Sequence, residues 1–118
     1  MATATKTERA VVTSQACAAA ATITGTLALT TALGGQGVAR VTNGGTGPTI
    51  GCTVYVYQTM NSVDYLVSQQ QVGVAAGTTY DVPFSVPVGL RALKVVFTGN
   101  TVQAVTVSCY FDELTSIG

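Results

Sequence analysis

The chain has no histidine and no tryptophan, and only 8% of its 118 residues are charged. Without histidine, the commonest general base and the commonest zinc ligand are both missing. Five basic and five acidic residues leave a net charge of zero. Lys6, Arg9, Arg40, Arg91 and Lys94 are too few and too scattered for the basic patch that nucleic acid requires, so no nucleic-acid partner is expected. The three cysteines, Cys17, Cys52 and Cys109, form no CxxC pair, which argues against a zinc ribbon or a dithiol redox motif. Residues 10–39 carry no charge, yet threonines and glycines interrupt them, and 17–21 holds no Leu, Val or Ile. Neither a signal peptide nor a membrane span is expected from that stretch.

The scarcity of charge also has a positive meaning. Soluble domains usually carry ~25% charged residues, and here the mean hydropathy is +0.45. Neutral, charge-poor surfaces associate, so much of this surface is expected to face other protein. A chain of this length makes one domain and buries a sufficient core without metals or disulfides.

Two stretches carry the organisation. Residues 37–57 read GVARVTNGGTGPTIGCTVYVY, two alternating runs around Asn43-Gly44-Gly45-Thr46-Gly47-Pro48. Glycine and asparagine tolerate positive φ and proline presets φ, so 43–48 reads as a turn and the whole as a β-hairpin. Residues 90–111 repeat the design, with strands on either side of Gly99-Asn100-Thr101, predicting a second hairpin. Further strands are predicted over 7–13, 22–33, 65–70 and 79–86, with 14–21 as connection and 112–118 as an unstructured tail. Pro83 and Pro87 place the strand over 79–86 at a sheet edge. The sum is an all-β chain, an antiparallel β-sandwich of about eight strands with jelly-roll or immunoglobulin-like topology. Residues 1–6 read as an N-terminal arm and 7–118 as the single β-sandwich domain.

Alternation also assigns the core. Val54, Val56, Leu93, Val95, Phe97, Val105, Val107 and Phe111 point inward, as do Tyr80, Val82, Phe84 and Val86. Cys52 and Cys109 fall on the same faces and read as buried, reduced thiols. A Cys52–Cys109 bridge would need the two hairpins to face each other, and the odd count and lack of an export signal weigh against it.

No catalytic constellation emerges, and no catalytic, cofactor or metal residue is assigned. Asp112-Glu113 is the one adjacent carboxylate pair, but neighbours on a strand face opposite ways, and the pair reads as a solvated strand end. Asp64 and Asp81 lack calcium-loop spacing. The chain is therefore not expected to be an enzyme, and no cofactor is expected. The candidate contact residues are of two kinds. Tyr55 and Tyr57 project opposite to Val54 and Val56, as surface tyrosines chosen for β-propensity, a protein contact or a sugar platform. Met1, Ala2, Thr3, Ala4, Thr5 and Lys6 bury too little on their own domain to offset ~1–2 kcal/mol of backbone entropy per residue, and are expected to latch onto a neighbouring chain.

The runs VTNGGTGPTIGCTVYV and YDVPFSVPVGLRALKVVFTGNTVQAVTV, with the closing ELTSI, resemble a group of small β-sandwich virion proteins of tailed bacteriophages, commonly found near the major capsid gene. The pattern of that group is an ITNGxTGPT motif, a Val/Glu-rich strand, a segment containing FTGNTGQAVTV and a short tail. Residues 41–49, 80–87, Arg91 and 96–107 match it, within a resemblance spanning about 27–117. It implies a structural virion role, above all capsid decoration or cementing on the capsid surface after synthesis in the host bacterial cytoplasm. The implied partners are the major capsid protein and further copies of the chain, as a dimer or trimer. A glycan- or receptor-binding module of a fibre or tail tip, and a tail or neck subunit, are the alternatives.

Overall fold

The computed structural model of the chain describes residues 4–29, 31, 33–45, 48–86, 92–98 and 104–117. Among them are eight strands: β1 (Ala4–Cys17), β2 (Thr22–Ala28), β3 (Gly35–Asn43), β4 (Ile50–Met60), β5 (Val63–Val74), β6 (Thr79–Val86), β7 (Ala92–Thr98) and β8 (Val105–Ile117). They form two four-stranded sheets, in the orders β1-β8-β3-β6 and β2-β7-β4-β5, with every neighbouring pair antiparallel. This order is the jelly roll, two Greek keys wrapped into a sandwich, so the immunoglobulin-like alternative falls away.

The jelly roll overturns both expected hairpins. β3 lies in one sheet and β4 in the other, and β7 and β8 are divided in the same way. Alternation reports which side chains point inward and is silent about which strand lies alongside. A loop over 44–49 spans the ~10 Å between packed sheets as readily as it folds back in plane. Among the consecutive strands, β4 and β5 alone share a sheet as neighbours.

Asn43 explains the first of these crossings. Neither it nor Gly44 has positive φ. Its buried side-chain amide instead donates to the carbonyls of Pro48 at 3.0 Å and Val74 at 2.9 Å. The Asn43 N–H donates to the Thr78 carbonyl at 3.0 Å, and Gly77 N–H to the Gly44 carbonyl at 2.6 Å. The end of β3, the crossing loop and the β5–β6 turn are thus tied at one residue.

The expected core is present. Val54, Val56, Leu93, Val95, Phe97, Val105, Val107 and Phe111 are each at most 2% exposed, and all three cysteines are free and buried. Phe84 stacks on Phe111 with centroids 6.2 Å apart, in space left by Gly37, where an added Cβ would lie 2.4 Å from the Phe84 ring. Tyr80 departs from expectation and is exposed. It lies near the start of an edge strand, where its ring reaches solvent at the rim of the sandwich.

The first and last strands extend further than the residue pattern suggests. β1 starts at Ala4 rather than residue 7, with Ala4, Thr5 and Lys6 set against Ile117, Ser116 and Leu114 of β8. Those three residues have their partner strand within the chain, whereas Met1, Ala2 and Thr3 lie outside the described residues. Residues 112–117 of the expected tail are the last part of β8, with 112–113 between β1 and β3 and 114–117 alongside β1. Glu113 is accordingly not a solvated strand end: it is fully buried, bonded to Arg9 Nη1 at 2.7 Å and accepting from Thr31 N–H at 2.9 Å. Asp112, one residue away, faces solvent, as strand geometry requires.

Candidate functional site

Three surfaces remain once the core is assigned: the outer face of each sheet and the far end of the β4–β5 hairpin.

On the outer face of β2-β7-β4-β5, Tyr55 lies between Gln69 and Val96, and Tyr57 between Leu66 and Lys94. The two rings are 6.1 Å apart at 20°, and Lys94 Nζ sits 5.9 Å from the Tyr57 ring centre. Lys94 also bonds Asp64 Oδ2 at 2.7 Å, and Thr59 Oγ1 donates to Asp64 Oδ1 at 2.7 Å. The Lys94 ammonium, then the Thr59 hydroxyl, hold the Asp64 carboxyl below its ordinary range. Both tyrosines are half-buried. A sugar platform needs open ring faces, and here a lysine stands over one of them. The face is a satisfied, nearly neutral patch rather than an aromatic shelf.

The outer face of β1-β8-β3-β6 holds a groove of about 610 Å³. Two cross-strand rows line it: Glu8–Asp112–Gln36–Ser85, and beside it Tyr110–Val38–Pro83. Tyr110 and Val38 are each 42% exposed. Arg40 pairs with both Asp81 oxygens at 2.7 and 3.0 Å beyond the groove, and the guanidinium keeps the Asp81 carboxyl low. Acceptors arranged beside an exposed aromatic ring can take hydroxyl-rich or peptide-like partners. The residue pattern did not reveal this groove. The outward position of Tyr110 follows from buried Cys109 and Phe111, but only the sheet order brings Glu8 and Gln36 to it.

The third surface lies beyond the described pairing of β4 with β7. Among the described residues β4 pairs with β7 over 53–58, whereas it follows β5 to the turn at Asn61-Ser62. Both turn residues have positive φ, 52° and 62°, which makes a two-residue type I′ turn. The register of β5 slips after Val56, leaving Val67 as the bulged residue. Met60, Val63, Tyr65, Leu66 and Val67 are 41–51% exposed along this arm. The two-residue spacing between alternating runs, with asparagine leading the turn, was the signal for this hairpin.

Among the described residues no group of three or more His, Cys, Asp or Glu side chains could hold a metal ion. Burial pushes the Cys109 thiol up to about 12, and the Cys52 thiol to about 11 with a lesser contribution from Cys17. None of the three is a ready nucleophile.

No family model matches the chain, and no curated protein matches it in sequence. Solved structures do match in fold. A structure of the Gx strain of infectious bursal disease virus aligns with a TM-score of 0.58 at 14% identity, over 92% of this chain and 31% of that one. The enzymatically active domain of tailspike protein 4 from bacteriophage CBA120 gives 0.55 at 12% identity, over 95% and 19%. A carbohydrate-binding module of the β-sandwich superfamily gives 0.51 at 7% identity, over 96% and 57%. The chain thus spans well under two thirds of the length of each, and identities this low speak to fold alone.

Proposed function

We propose that this protein is a non-enzymatic structural component of a tailed-bacteriophage virion, and specifically a capsid decoration or cement protein that binds between major capsid subunits. The observation that carries the reading is the projecting β4–β5 arm. Five large apolar side chains, each 41–51% exposed, stand on a chain with 8% charged residues. Exposed apolar side chains gathered on one arm and rimmed by the Asp64–Lys94 pair mark a contact surface. The jelly roll is a fold that viral capsids use, and the likeness of residues 27–117 to phage virion proteins points the same way. Localisation in a whole-particle reconstruction tests it. Density between capsid subunits, and heads that lose heat resistance when the protein is stripped, are expected. Density on the tail or neck, or no binding to heads, overturns it.

A second reading, a glycan-binding module of a fibre or tail tip, has its own support in the groove around Tyr110. An aromatic ring beside the Glu8–Asp112–Gln36–Ser85 row is suited to a sugar, and related sandwiches include carbohydrate-binding modules. A glycan array separates the two. Glycan retention that Tyr110→Ala abolishes favours this second reading, and retention of no glycan removes it.

A further inference from the structure

We propose that β5 is a dimerisation edge. A second copy of this chain pairs with it antiparallel about a two-fold axis, joining two four-stranded sheets into one of eight. The inference rests on the strand itself and stands whether or not the protein belongs on a capsid.

A strand at the edge of a sheet presents unpaired N–H and C=O groups, and natural proteins blunt such edges with charges, proline, bulges or cover. The jelly roll has four edges, β1 and β6 in one sheet and β2 and β5 in the other. Three are blunted. β1 has three register shifts and carries Lys6, Glu8 and Arg9. β6 contains Pro83, which has no N–H, and the Arg40–Asp81 ion pair. β2 is short and lined by β1, whose Val11 carbonyl comes so close that a Cβ on Gly25 would lie 2.3 Å from it. β5, VDYLVSQQQVGV, has no proline, and its one bulge, at Val67, and its one charge, Asp64, both lie in its first half and leave 68–74 unblunted.

The bulge at Val67 divides β5 into two parts. Residues 68–74 form a regular, uncharged run, while 63–66 continue against 57–60 in a register shifted by one. The second copy fits this edge because a strand pairing with itself must not set like charges opposite one another. With the axis at Gln70 or Gln71, each Asp64 falls beyond the end of the other strand. The glutamine amides, each both donor and acceptor, meet amides of the same kind. At ~3.3 Å per residue the seven residues 68–74 span about 23 Å, and a strip about 20 Å wide along them covers roughly 460 Å² per partner, less than the ~800 Å² of a standard interface, so the pair is a reversible dimer.

Sedimentation velocity of the full chain over a range of concentrations, without particles present, tests the pairing. The wild type should run as a dimer at high concentration. Gln71→Lys and Gln71→Glu each set like charges together near the axis and should raise the dissociation constant by about tenfold or more, while mixing the two variants restores dimers. Gln71 is exposed, so both variants should melt like the wild type, and Glu8→Lys on the β1 edge should leave the dimer unchanged. A wild-type monomer at high concentration overturns the proposal, including one that binds capsid through β5. So does an oligomer indifferent to both Gln71 charges.

Discussion

A buried side chain here contributes through packing or through the polar atoms it satisfies. Phe97 is fully buried near the end of β7, so Phe97→Ala is expected to cost ~3–5 kcal/mol, the range for a truncated core phenylalanine. A denaturant midpoint close to wild type would place its ring outside the core. The thiols respond to pH instead. Burial lifts Cys52 to about 11 and Cys109 to about 12 from an ordinary 9.0, so the folded state holds protons that the unfolded chain releases. Their contribution is complete below pH 9 and is lost as pH rises from 9 towards 12, because stability falls wherever the folded state binds more protons. The melting temperature should decline across that window, and a Cys52→Ala/Cys109→Ala variant should show a shallower decline. Native protein at pH 8 should react slowly with Ellman's reagent at all three cysteines, and a fast native reaction would show a thiol at the surface.

At the scale of elements, the turns decide what the strands leave open. Asn43 joins three segments, and Asn43→Ala leaves the Pro48 and Val74 carbonyls without their donor. At ~1–3 kcal/mol for the buried Val74 carbonyl and about 1 kcal/mol for the partly buried Pro48 carbonyl, a loss of roughly 2–4 kcal/mol is expected in denaturant titration. Asn43→Asp should cost more at pH 7 than at pH 4, since a carboxylate would face two carbonyls and only its protonated form can donate. The Asn61-Ser62 turn predicts a gain. Ser62 holds φ at 62°, which costs ~1–2 kcal/mol for a residue with a Cβ. Glycine removes that cost and returns ~0.4–1 kcal/mol to the entropy of the unfolded chain. Ser62→Gly should therefore stabilise by about 0.5 kcal/mol, and a lower denaturant midpoint would show that the turn is not type I′. Inside and outside were legible along β4, β7 and β8 because alternation is local, a property of Val54 against Tyr55 or Phe97 against Val96. The identity of Asn43 as a staple was not, since the carbonyl of Val74 meets it only after folding.

Over the whole molecule, what the residue pattern could not convey was partnership. Strand existence and facing come from a few adjacent residues, whereas β1 beside β8 or β2 beside β7 is fixed by closing nearly the full length of the chain. For the same reason two surface features stayed hidden: the Tyr110 groove, assembled from four strands, and the open β5 edge, which becomes an edge only once the other three are placed. The pairing of Ala4 with Ile117 at one end of β1–β8 has a mechanical consequence. Tension applied through the two chain ends would act on neighbouring residues of an antiparallel pair and peel that ladder open one hydrogen bond at a time. The same strands pulled in shear would have to break many bonds together. An optical-trap experiment on the chain gripped at its ends should show rupture at lower force than one gripped at Met60 and Thr22, and the reverse order would show that β1–β8 is not the first to yield. A protein built this way bears load best when the load enters across its sheets, with its ends left slack.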